Sequence, residues 1–124
     1  FMAPGSEVAE ATYREVVEQL APDGVHRYRA DTYFGGGRWV LLAGFVGWYE
    51  AMTCRRDEAL RRLTWMWEQA DDDGQLPEQV TGAAFDPSFT PVWEARWGPV
   101  ARPLLWSHAM FITLADELGL LDGT

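Results

Sequence analysis

The side chain best placed to do chemistry is Glu78, in the stretch Gly74-Gln75-Leu76-Pro77-Glu78-Gln79-Val80. Pro77 fixes its own φ near about −65°, so the backbone that delivers the carboxylate is stiffer than an ordinary loop. The stretch follows a helical segment ending in Asp71-Asp72-Asp73, where added negative charge is unfavourable because a helix C-terminus already carries partial negative charge. Carboxylates gathered there need a reason. A stiffened carboxylate between helices is a candidate general acid or base; taken alone, the same stretch reads as a solvated loop glutamate.

Residues 25–38 form a second chemically rich stretch, a loop by its glycines and charges, with Arg27, Tyr28, Asp31, Tyr33 and the run Gly35-Gly36-Gly37, and Trp39 directly after it. No Gly-Lys-Ser/Thr follows the glycines, so a phosphate loop is not indicated and close backbone packing explains them better. Asp31 can equally cap the loop by accepting from backbone N–H groups. Ser107 and His108 are neighbours on a helix and point about 100° apart, so they cannot act on each other as nucleophile and base. His26 and His108 are too few for a zinc site, and Asp71 to Asp73 lack the alternating spacing of a helix-loop-helix calcium site. No metal and no cofactor are expected.

The 124 residues carry a net charge of −9, which argues against nucleic acid or an anionic membrane as partner, since both select a positive surface. A neutral ligand is compatible with it. The single cysteine, Cys54, allows no internal disulfide and reads as a small packing residue. No positively charged leader followed by an apolar run opens the chain, and no stretch reaches the length of a membrane span. These features fit the cytoplasm.

Four helices can be read behind these loops. Ser6 caps an amphipathic helix over 7–20, stopped by Pro22 and Gly24. Residues 39–52 are apolar on every face except at Glu50, the pattern of a buried helix. Residues 57–70 are amphipathic again, with Leu60, Leu63, Trp67 and Ala70 as the apolar stripe, and residues 103–119 form a second apolar helix opened by Pro103. A loop of nearly thirty residues separates the last two, a length that in a compact domain usually serves function. With amphipathic helices outside and apolar ones inside, both outer-to-inner loops open on one side, so residues 27–37 and 74–102 should meet. Two all-apolar helices cannot be wrapped by so few partners, and an exposed apolar surface is expected on their far sides.

Three blocks carry a resemblance: Arg27-Tyr28-Arg29-Ala30-Asp31-Thr32-Tyr33-Phe34-Gly35-Gly36-Gly37-Arg38-Trp39, then Leu76-Pro77-Glu78-Gln79-Val80, then Pro103-Leu104-Leu105-Trp106-Ser107-His108-Ala109. In this order, and with helices between them, they resemble the C-terminal part of the catalytic domain of glycoside hydrolase family 15, the glucoamylase-like enzymes. The resemblance implies an all-α fold, with residues 6–119 as the last four helices of an (α/α)6 toroid and residues 1–5 and 120–124 as flanking tails. It implies inverting hydrolysis that releases glucose from the non-reducing ends of α-glucosides. Glu78 matches the family's general base, Arg27, Asp31, Tyr33 and Trp39 match its substrate-binding loop, and Trp106 matches an active-site aromatic.

The implied partners are an α-glucoside oligosaccharide or disaccharide and the remainder of the catalytic domain, without which this segment is expected to be inactive. The family's general acid has no counterpart here; Trp93-Glu94-Ala95-Arg96 lies downstream of the base and is not assigned. Glycines at 35 and 37, Ala30, and Pro99-Val100 depart from common family residues and leave linkage preference open. A trehalase of the same family and a non-catalytic carbohydrate-sensing toroid module are the alternatives.

Overall fold

A computed structural model of the chain describes residues 2–121; Phe1 and residues 122–124, parts of the two flanking tails, lie outside it. The fold is all-α, as expected, with five helices: α1 (Glu7–Leu20), α2 (Val40–Met52), α3 (Arg56–Glu68), α4 (Thr90–Trp97) and α5 (Leu105–Glu117). The only sheet among the described residues is an antiparallel pair of two-residue strands, β1 (Arg38–Trp39) and β2 (Gln79–Val80). No described helix is long and apolar enough to cross a membrane.

The core lies where α2 meets α3 on one side and α5 on the other. Two glycines of α2 set the closeness of these contacts. A Cβ on Gly44 would lie 2.7 Å from the Cβ of Met110, and one on Gly47 would lie 2.7 Å from Leu114 and 3.0 Å from Arg62. Both glycines sit in an otherwise strongly apolar helix, where they cost helix propensity but let α5 approach to backbone range. Met66 and Leu114, fully buried, fill the space around them.

The phase of α3 differs from the sequence expectation. Trp67, placed on the apolar stripe, is 67% exposed and leans on Phe111 at a ring-centroid distance of 6.0 Å. The buried face is instead Ala59, Arg62, Leu63, Trp65 and Met66. The cause is Glu50, only 1% exposed on α2, whose carboxylate draws Arg62 inward; Nε and Nη2 of Arg62 donate to Glu50 Oε1 at 3.4 and 3.3 Å. A buried carboxylate must be paired, and that requirement turns the helix.

Helix α1 keeps its expected bounds and its Ser6 cap, whose hydroxyl accepts from the Ala9 N–H at 3.4 Å. None of its residues is fully buried, Val8 included. It is tied to α2 and to the turn after it by polar contacts: Tyr13 donates to Glu50 at 2.9 Å, Tyr49 donates to Glu10 at 2.7 Å, and Arg55 pairs with Glu10. Burial and the Glu50 carboxylate push the Tyr13 phenol up to about 12. Cys54, read as a packing residue, is exposed in the turn after α2 at φ 63°.

The long loop holds more structure than its composition suggested: short 3-10 turns at Thr81–Ala83 and Pro87–Phe89, then α4. Pro91 sits in the first turn of α4, where proline has no hydrogen bond to lose. With no fully buried residue, α4 leaves no apolar period to read. The loops meet as expected: Arg38 faces Val80 and Trp39 faces Gln79 in the strand pair. Far-side exposure is also seen, with Leu105 at 81% and Phe45, Trp106 and Ile112 likewise in the open.

Replacing Gly44 with alanine should destabilise the fold by about 1–3 kcal/mol through overpacking against Met110, despite a helix-propensity gain of about 1 kcal/mol. Denaturant unfolding measures this. Equal or greater stability would mean that α2 and α5 can part at little cost.

Candidate functional site

Leu76 and Pro77 are buried, so the loop that presents Glu78 must find partners for its backbone polar groups. All five groups of residues 76–78 find one. The Leu76 N–H donates to His108 Nε2 at 3.0 Å, and the Leu76 carbonyl accepts from the Leu104 N–H at 2.9 Å. The Pro77 carbonyl accepts from Ser107 Oγ at 2.7 Å. The Glu78 N–H donates to the Ala101 carbonyl at 2.9 Å, and the Glu78 carbonyl accepts from the Val40 N–H at 3.2 Å. Glu78 thus rides on a fixed backbone while its side chain stays half-buried. Upstream, Asp71 accepts from the N–H groups of Asp73 and Gln75 at 3.1 and 2.8 Å and lies 3.6 Å from Arg102. The acidic run therefore shapes a turn, and among the described residues no cluster of three or more metal-ligating side chains exists.

Against this platform packs the 25–39 loop. Arg27 makes a two-pronged pair with Asp31, Nε to Oδ2 at 2.7 Å and Nη2 to Oδ1 at 2.8 Å. Asp31 is 2% exposed and also accepts from the Tyr33 N–H at 3.0 Å. Asp31 therefore caps the loop and anchors Arg27 at once, and lies below the surface. The Arg27 guanidinium packs against two neighbouring rings, 4.9 Å from the centroid of Tyr33 and 4.8 Å from that of Trp39, the two centroids themselves 6.1 Å apart. Cation–π attraction of this kind fixes a guanidinium in a plane. The hydrogen bonds it donates to Asp31, and then the Asp31 charge, hold Arg27 above its ordinary pKa against burial, with Glu78 adding to the effect. Burial first and the nearby Glu78 charge second raise the Tyr33 phenol, so it remains a hydrogen-bond donor.

The glycine run does what close packing predicted. Gly36 adopts φ 73°, and a Cβ there would come within 2.4 Å of the Asp31 carbonyl; its own carbonyl meets His26 Nδ1 at 2.9 Å. His26 is buried and stacked on Phe85 at 4.0 Å, a structural role.

Arg27, Asp31, Tyr33, Trp39 and Glu78 thus form one cluster. Trp106 stands apart, lining an apolar depression with Leu41, Phe45, Ala109 and Met110. Sequence reasoning missed three supports. Gln79, 2% exposed, accepts from the Gly37 N–H at 3.0 Å and brings its amide nitrogen to 3.5 Å from Glu78 Oε2. Trp93 of α4 meets Tyr33 edge-on at 4.9 Å, and Thr90 donates to the Phe34 carbonyl at 2.9 Å. Ser107 and His108 hold the Glu78 loop. Only a buried amide directly after a carboxylate could have signalled Gln79; nothing local signalled the others.

Chemically, the cluster offers one ready carboxylate, Glu78, since Asp31 is fully engaged. Beside it stand a phenol that keeps its proton and a planar guanidinium. This suits proton abstraction next to a neutral, hydroxyl-rich ligand.

The chain is similar to known glycosidases. The chain is 50% identical over 119 residues to the isomaltose glucohydrolase of Kribbella flavida, a match covering 95% of this chain and 31% of that protein. A solved wild-type glycosidase superposes with a TM-score of 0.94 at 50% identity, over 97% of this chain and 33% of its own. A glutamate-to-alanine variant of a glycosidase, solved in complex with glucose, gives the same TM-score at 49% identity. The chain therefore spans about a third of the length of these relatives. No family model matches it.

Asp31→Ala should cost about 1–3 kcal/mol of stability by leaving the Tyr33 N–H and Arg27 without their acceptor, whereas Asp31→Asn, which keeps an oxygen toward the Tyr33 N–H, should cost less. Denaturant titration of both variants decides; two losses below about 0.5 kcal/mol would dismiss Asp31 as the anchor of the loop.

Proposed function

We propose that this chain is the base-bearing segment, residues 6–119, of an exo-acting α-glucoside hydrolase of the glucoamylase-like family 15. The observation that carries this reading is the half-identity to an isomaltose glucohydrolase across nearly the whole chain, joined to a rigidly mounted Glu78. Isomaltose is accordingly the first substrate to test. In this mechanism Glu78 takes a proton from a water that attacks the anomeric carbon from the face opposite the leaving group. The partner acid lies outside the described residues; an inverting pair stands about 6.5–9.5 Å apart, leaving room for that water.

Arg27 bonds sugar hydroxyls through the edge of its guanidinium that Asp31 leaves free, with Asp31 holding it in position. Tyr33 and Trp39, which both pack against Arg27, offer the sugar their remaining edges, and Tyr33 donates from its phenol. Trp106 contributes an apolar wall from the start of α5. The rest of the catalytic domain supplies the acid and covers the exposed apolar strip. The working compartment proposed is the cytoplasm, in keeping with the exposed thiol of Cys54.

The test is glucose release by the full-length polypeptide from isomaltose, maltose and trehalose, with the anomer of the first product followed by NMR. β-Glucose from isomaltose supports inversion, and faster release from trehalose would shift the reading to a trehalase. Glu78→Gln should lower kcat roughly 10²–10⁴-fold with KM little changed. Near-normal turnover in that variant would remove Glu78 from the base role, and no glucose from any of the three sugars would sink the hydrolase reading.

A further inference from the structure

Of the five backbone bonds that fix residues 76–78, three come from other backbone groups and two from side chains, Ser107 Oγ and His108 Nε2, both on the first turn of α5. Only one of these partners can titrate. Because the Leu76 N–H donates to His108 Nε2, that nitrogen must carry a lone pair, which puts the ring in its neutral form with the proton on Nδ1. A protonated ring carries hydrogen on both nitrogens, so the two N–H groups would face each other and a buried donor, that of Leu76 at 4% exposure, would lose its acceptor. An unpaired buried N–H is costly, and the loop two residues ahead of Glu78 would shift to relieve it.

We infer that His108 is a positioning residue for Glu78, an acid-sensitive latch that holds the carboxylate's loop in place only while the imidazole is neutral. The inference rests on Glu78 being the general base. A ring that gains a second N–H can no longer accept from Leu76, so the latch opens on the acid side. The charged groups on the elements packed around it are Arg102 in the segment before α5, Asp71, Asp72, Asp73 and Glu78 in the loop it holds, Glu68 at the end of α3 with Arg56, Asp57, Glu58, Arg61 and Arg62 earlier in that helix, and Glu50 near the end of α2; Asp116 and Glu117 lie at the far end of α5. Arg102 donates to the carbonyls of Gln69 and Gln75, next to the latched Leu76.

The test uses the full-length polypeptide with isomaltose as substrate, and amide hydrogen exchange at Leu76 as a readout that needs no turnover. His108→Ala should lower kcat about tenfold or more with KM within about twofold, and speed Leu76 exchange about tenfold or more while Met110 exchange holds. His108→Gln, whose amide oxygen can accept from Leu76 but cannot titrate, should restore kcat to within about threefold near neutral pH and extend the acid limb of kcat to lower pH. In the parent protein, Leu76 protection, corrected for intrinsic exchange, should fall as pH is lowered, and in His108→Gln it should not. Parent-like kcat and Leu76 protection in His108→Ala overturns the inference, as does an unchanged acid limb in His108→Gln. If His108→Ala does not fold, the comparison of parent with His108→Gln decides. If the parent releases no glucose the hydrolase reading has failed, and if Glu78→Gln keeps its turnover the base role has; in either case Leu76 exchange alone judges the latch: unchanged protection in His108→Ala, or no acid-linked loss of protection in the parent, refutes it, and faster exchange in His108→Ala with acid-linked loss in the parent but not in His108→Gln sustains it.

Discussion

The constraint on which the rest depends is that the loop presenting Glu78 is buried at Leu76 and Pro77 and so cannot leave a backbone polar group unpaired. Proline helps by having no N–H to satisfy. The remaining groups are met from three directions: the N-terminus of α2, the segment just before α5, and the first turn of α5. Each of those elements is thereby tied to one carboxylate. The strand pair adds a fourth tie, since pairing Trp39 with Gln79 locks the Arg27 loop to the residue after Glu78. The two halves of the site therefore move as one body.

A second constraint works at the opposite end of α2. Burying Glu50 obliges a cation to follow it inward, and Arg62 does so, reaching the backbone carbonyl of Asp23 as well. A buried pair of this kind contributes little net stability but penalises any arrangement that separates its members. It sets the rotation of α3, the seat of Tyr13 on α1, and the height at which the chain leaves α1 toward His26 and Arg27. Specificity of packing, more than strength, is what the pair supplies.

This explains what could be read beforehand and what could not. The bounds of α1, the apolar character of α2 and α5, the meeting of the two loops and the clustering of Arg27, Asp31, Tyr33, Trp39 and Glu78 all follow from periodicity, caps and recognisable blocks, which are local signals. The misplacement of Trp67 and of α3's buried face arose because a stripe reading treats Arg62 as a surface residue, and only a buried carboxylate twelve positions earlier reverses that. Helix α4 escaped because it is held by Tyr33 meeting Trp93 and by Thr90 reaching Phe34, contacts made across more than fifty residues of chain. Cys54 was misjudged because it follows a strongly apolar helix, while its own backbone turns outward at positive φ. For α3 and α4 the deciding contact is tertiary, and no local pattern carries it.

The first turn of α5 shows how one short sequence serves several directions. Trp106, Ser107 and His108 are consecutive, and on a helix consecutive side chains diverge by about 100°. Ser107 and His108 turn toward the Glu78 loop, while Trp106, at 67% exposure, points away into the apolar strip with Leu41 and Phe45. A substitution that rotated or frayed this turn would therefore disturb the carboxylate and the strip together. The turn has no side-chain cap of its own; its early N–H groups are met in part by the loop it holds, since Leu104 donates to Leu76. The loop and the helix start thus complete each other, so the proposed base is only as well placed as the beginning of α5 is well formed.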